Sequence, residues 1–107
     1  YTLAEFHTAH IITFGAQWHM PSHTHWFHEL IVVERGCIRV EVAGSQYDAH
    51  PGSVLLYQAG TAHEEWAEGG LPLTTRRVAF CWDGFDQNEP VVRPDGRGRV
   101  GTMAAWL

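Results

Sequence analysis

Along much of this chain apolar and polar residues alternate with a period of two. In CIRVEVAG, residues 37–44, Ile38, Val40 and Val42 alternate with Arg39 and Glu41. Successive strand side chains point to opposite faces, so this stretch predicts a strand with one dry and one wet face. Val78, Phe80 and Trp82 repeat the spacing near the end. HIITF (10–14), ELIVVERG (29–36), SVLLYQAG (53–60) and TTRRVAFCW (74–82) are rich in β-branched and aromatic residues. Gly, Pro, Asn, Asp or Ser divides these runs, which predicts further strands. Arg35-Gly36 and Gly44-Ser45 read as hairpin turns, and Pro51-Gly52 suits a type I or II turn. Several short strands with closely spaced turns predict an all-β sandwich or barrel.

The texture changes between Asp83 and Gly101, where DGFDQNEP and RPDGRGRVG read as loop or linker. Thr102 can cap a helix beginning MAAWL, cut off after one turn. The expected organisation is a β-barrel over 1–82, then a linker and a truncated helix start over 83–107. Gly96, Gly98 and Gly101 fit a dinucleotide-binding glycine pattern. That pattern needs a strand–turn–helix unit, and too little chain follows for one, so a linker is the expectation.

A chain of 107 residues is expected to be one domain. Apolar content of 45% against 18% charged residues excludes a disordered chain and allows a core. Apolar runs are short, such as LIVV at 30–33, so no bilayer-crossing helix is expected. No secretory signal opens the chain, and Tyr1 stands where a Met would begin it, so a longer parent is expected. Net charge is −5 with no lysine, which argues against phosphate gripping by this segment. Cys37 and Cys81 lack zinc-finger or C-x-x-C spacing and fall in predicted strands. They read as buried free thiols in a reducing, cytoplasmic compartment.

Candidate chemistry concentrates in SHTHWFHELIVVERG, residues 22–36. His23 and His25 are two apart, so in a strand they share a face and lie ~7 Å apart along it. Two such imidazoles can lean onto one ion, although His-x-His alone has little specificity. Glu29 is four further on, ~13 Å in a straight strand, and joins them only if the chain bends near Trp26-Phe27. His28 would then point the opposite way. A carboxylate on the apolar face of Ile31 and Val33 needs a partner, and a cation would supply one. Glu64 and Glu65 in HEEWA lack the second histidine of a metalloprotease helix and are expected to form a solvated pair. His7, His10, His19, His28 and His50 are expected at the surface or in local hydrogen bonds, with His19 nearest the cluster. The tryptophans are expected mainly in the core. Trp82, Phe80, Trp18 and Trp66 are also candidates for lining a ligand pocket, with Trp82 foremost.

The spacing of these residues resembles the cupins. Their first motif appears as His23-Thr24-His25, three residues, Glu29, six residues, Gly36. Gly15 stands eight before His23, where the motif's leading glycine usually stands six before. The second motif appears as Gly52, Gly60 and His63 at intact spacing, with Gln58 for its proline and Ala67 for its asparagine. The resemblance covers roughly residues 10 to 82 and implies a small double-stranded β-helix, the jelly-roll or cupin barrel. Carried over by position, it makes His23, His25, Glu29 and His63 metal ligands. Such a set suits zinc first, and also nickel, manganese, iron or copper. A metal-free polar pocket that binds a ligand directly is the alternative.

Within the cupins, the text from His23 to Glu64 is similar to the sensory domains of AraC-type transcription regulators, through its GTAH loop and PG turn. That implies a small-molecule effector, a homodimer, and DNA contacts made by a part of the protein outside this chain, with no membrane partner. A stand-alone metal-dependent cupin enzyme, a dioxygenase or isomerase, is the second reading. A barrel serving dimerisation alone is the third.

Overall fold

A computed structural model of the chain describes residues 5–85 and 88–93. The described residues form nine strands: β1 (Glu5–Phe14), β2 (His19–His23), β3 (His28–Arg35), β4 (Cys37–Val42), β5 (Ser45–Ala49), β6 (Val54–Tyr57), β7 (His63–Glu68), β8 (Leu73–Cys81) and β9 (Val92–Arg93). They make two sheets, in the order β1-β8-β3-β6-β9 and β2-β7-β4-β5, with every pairing antiparallel. This is the all-β jelly-roll expected. The alternation in β4 holds: Ile38, Val40 and Val42 are buried while Arg39 and Glu41 are partly exposed.

Four strands escape the apolar pattern. β2, β5 and β7 carry mostly polar residues and β9 is only two residues long, and pairing to neighbours makes them strands where periodicity does not. The chain past residue 82 is not linker alone, because β9 pairs with β6. The expected helix from Thr102 and the three glycines at 96, 98 and 101 lie outside the described residues. Among the described residues no helix is long and apolar enough to cross a membrane.

The core sits between the sheets. Ile31, Val33, Leu55, Tyr57 and Leu73 of the five-stranded sheet pack with Ile38, Val40, Val42 and Ala49 of the other. A second cluster covers the outer face of the five-stranded sheet: Leu30, Val32, Val54, Leu56, Val78 and Phe80, with Trp82 and Phe85 packed on it. The middle of that sheet, along β3 and β6, is therefore dry on both faces, which explains the unbroken run LIVV. Cys37 and Cys81 are free but only half-buried. Their Sγ atoms lie 3.1 Å from His50 Nδ1 and 3.3 Å from His7 Nε2, so they are not simply small hydrophobes.

Two turns set the hairpins. The β4–β5 turn centres on Ala43 and Gly44, one residue earlier than the expected pair, with φ of 51° and 85°. Positive φ at both central residues is the type I′ geometry, which matches strand twist. Gly36 links β3 to β4 at φ 78°, and a Cβ there would meet the Pro72 carbonyl oxygen at 2.4 Å. Gly36→Ala is expected to lower stability in urea unfolding by about 1–3 kcal/mol, through strain and backbone displacement. Gly15→Ala meets nothing within 4 Å and is expected to be near neutral. Equal effects would contradict the close approach of Gly36 to Pro72.

Candidate metal centre

Strand ends and one corner assemble the cluster. β2 belongs to the four-stranded sheet and β3 to the five-stranded one, so residues 24–27 carry the chain across the barrel. This is the bend that Glu29 requires. His23 ends β2 directly opposite His63, which begins β7. His25 lies in the corner, and its carbonyl accepts from Gly60 N–H at 2.8 Å. Ala59 N–H donates to His28 Nδ1 at 2.9 Å, a second tie between the corner and the β6–β7 loop.

His23, His25 and His63 offer nitrogen atoms that all lie within 4.8 Å of one another. Each ring spends Nδ1 on a nearby backbone carbonyl: His23 on Pro21 at 3.2 Å, His25 on Phe27 at 2.8 Å and His63 on Thr61 at 2.9 Å. A carbonyl only accepts, so Nδ1 carries the hydrogen and Nε2 keeps its lone pair. Nε2 of His25 and of His63 is buried with no hydrogen-bond partner. Buried polar atoms are rarely left so, and a bound ion or water commonly satisfies them. Burial also pulls the His63 pKa below its ordinary value, which keeps that ring neutral and able to ligate. The donor set therefore fits a transition metal.

Glu29 stands beside the triad. Its Oε1 is 3.7 Å from His25 Nε2 and 4.0 Å from Arg77 Nη1. Burial raises its pKa, partly opposed by the Arg77 charge. The structure thus brings His23, His25 and His63 together, with Glu29 outside that group beside His25.

Below them lies a network that the sequence reading missed. Glu65, expected in a solvated pair, is fully buried. Strand alternation puts Glu64 and Glu65 on opposite faces, and Glu65 shares the inward face of His63. Glu65 accepts from Arg77 Nη2 at 2.6 Å, from Arg77 Nη1 at 3.0 Å and from Tyr57 OH at 3.0 Å. Arg77 Nε donates to Thr75 Oγ1 at 2.9 Å. Burial works against the Arg77 charge, but the bonds to Glu65 outweigh it and raise the pKa. Tyr57 in turn stacks on His63, with centroids 3.9 Å apart at 17°. The period-two rule carried from His63 along β7 places Glu65 inside, whereas in β8 it only sets Arg77 on the face opposite Val78 and Phe80.

The aromatic candidates do not gather at the triad. Phe80 and Trp82 belong to the cluster outside the five-stranded sheet, because β8 turns Thr75 and Arg77 inward and Val78 and Phe80 outward. Trp66 alternates with buried Glu65 and stacks on His19, centroids 5.3 Å apart. Trp18 does border the inter-sheet core, stacked on Phe14. Its carbonyl accepts from Ala67 N–H, four residues or roughly 13 Å along β7 from His63. His19 bonds Glu64 at 2.6 Å instead of joining the triad. His28 points away from the triad as expected, with Nε2 2.7 Å from the Trp82 carbonyl.

The family profile of the AraC-like ligand binding domain matches residues 7–88, most of the chain. The chain belongs to that family. Its fold is similar to the cupin domain of Schizosaccharomyces pombe Cnp3, at 14% identity and TM-score 0.66, over 70% of this chain and 55% of that one. It is also similar to YhaK from Escherichia coli, at 18% identity and TM-score 0.71, over 86% of this chain and 42% of that one. A cupin superfamily protein from Desulfitobacterium hafniense matches at 14% identity and TM-score 0.62, over 75% of this chain and 77% of that one. The chain spans about half the length of the first two. No curated protein matches the sequence.

Glu65→Leu is expected to cost about 3–5 kcal/mol in urea unfolding, since it strands the Arg77 charge inside. Glu64→Leu is expected to cost under about 1 kcal/mol, the scale of an exposed ion pair. Similar costs would contradict the opposite placement of the two carboxylates. Tyr57 gives a pH test, because burial first and Glu65 second hold its phenol well above 10.0. The folded state keeps this proton longer than the unfolded chain does. Its contribution is therefore complete below pH ~10 and lost as pH rises further. Tyr57→Phe is expected to flatten the alkaline loss of stability, measured by urea unfolding across that range.

Proposed function

We propose that this chain is the small-molecule-sensing, metal-binding domain of an AraC-type transcription regulator. His23, His25 and His63 would hold one divalent transition metal, zinc first, with Glu29 as the fourth ligand. The observation that carries this is the convergence of three imidazoles whose Nδ1 atoms are all engaged by backbone carbonyls, two with buried, unpartnered Nε2 atoms. Carbonyl bonds of this kind commonly fix tautomer and ring orientation at metal sites. When bound, the ion would supply a Lewis-acidic position open to an oxygen or nitrogen of the effector.

The family supports an effector, and the charge supports a division of labour. With net charge −5 and no lysine, this domain is unsuited to phosphate contacts, which fall to another part of the parent protein. An effector acts by binding one arrangement of the two parts more tightly than the other.

Metal analysis of the chain purified without added metal is expected to find about one transition metal per chain, largely lost in His25→Ala. Equal contents would remove the metal from this reading. In the longer protein, His25→Ala is expected to abolish the effector-dependent change in DNA affinity and to leave salt-dependent non-specific binding intact. Steady turnover of a substrate by the isolated chain would favour the metal-enzyme reading instead.

A further inference from the structure

A cleft of about 330 Å³ opens beside the metal centre, between the β4–β5 hairpin and the segment leading into β9. Val42, Leu56 and Val91 are among its apolar lining residues, and Ser45, Tyr47 and Thr61 are lining residues that carry hydroxyl groups. Val42 is only 4% exposed, so the cleft reaches down to the core. Its volume lies at the small end of the ~300–1,000 Å³ of ligand sites, too little for a peptide.

Charge narrows the occupant. Among the described residues lining the cleft, Glu89 is the one carboxylate or base, and Arg93 Nη2, from outside the lining, donates to it at 3.0 Å. That ion pair already offsets the single charge in the lining. A charged guest would lose its hydration without a counter-charge. An uncharged molecule with an apolar body and one or two hydroxyl groups meets both wall and rim.

The cleft shares a wall with the triad. Ala59 and Thr61 line it, and the loop they belong to bonds His25 and His63. Thr61 gives its carbonyl to His63 Nδ1, and Gly60 gives its N–H to the His25 carbonyl. A guest against Thr61 therefore presses on backbone that orients two of the three imidazoles.

We propose that this cleft is a second small-molecule site, selective for small uncharged alcohols, and that its occupancy changes metal affinity through residues 59–61. The binding claim stands without the metal reading, and the coupling claim rests on it.

The test titrates metal-free, ¹⁵N-labelled chain with 2-methyl-2,4-pentanediol and, separately, with the anion 4-methylpentanoate. Saturable amide shifts at Ala43, Tyr47 and Thr61 with the diol are expected, and weaker ones by about tenfold with the anion. Ala59→Trp and Val91→Trp fill the cleft from two sides, and each is expected to weaken diol binding by about tenfold or more. Linear shifts without saturation, or undiminished binding in both variants, would overturn the site. Equal binding of the anion would overturn its selectivity. Zinc affinity is then measured by chelator competition with and without diol, with a change of about fivefold expected. An unchanged zinc affinity in a chain that binds both would overturn the coupling. A chain that binds diol but no zinc would overturn the metal reading, and with it the coupling, while the site stands.

Discussion

In the middle of this barrel a guanidinium from one sheet meets a carboxylate from the other. Arg77 comes from β8 and Glu65 from β7, and two hydrogen bonds, of 2.6 and 3.0 Å, join them across the core. Two charges taken from water demand near-ideal geometry, so the pair tolerates little change in sheet spacing or strand register. Its effects extend upward. Glu65 also receives the Tyr57 hydroxyl, and the Tyr57 ring lies flat against His63. The position of a histidine at the mouth of the barrel thus rests on an ion pair below it.

Above that pair, backbone does most of the orienting. Carbonyl groups of Pro21, Phe27 and Thr61 engage the three imidazoles, and each lies two residues from the histidine it holds. Such local bonds survive only if the corner and the β6–β7 loop keep their shape. The bonds from Gly60 to His25 and from Ala59 to His28 lock those two segments together. Glu29 then sits where burial makes ionisation unfavourable and a nearby cation makes it favourable.

Much of this was legible beforehand. The His-x-His, glutamate and later histidine spacing named the histidines that gather and the glutamate beside them, and the apolar periodicity marked the strands of the hydrophobic core. Glu65 was legible too, had alternation been carried from His63 along β7. Phe80 and Trp82 show where the pattern stops. Their shared face is dry, as the spacing implied, but the middle of that sheet is dry on both sides. Periodicity groups residues by face and cannot say which face looks into the barrel.

The sequence by itself determined the alternation of faces, the turns and which histidines could meet, because those depend on residue types and short spacings. Only the tertiary structure decided that β2 crosses to the opposite sheet, that Arg77 finds Glu65, and that Thr61 serves both a histidine and a cleft. Those outcomes join atoms far apart along the chain. Their energies depend on sheet order and burial, which no local window of residues contains.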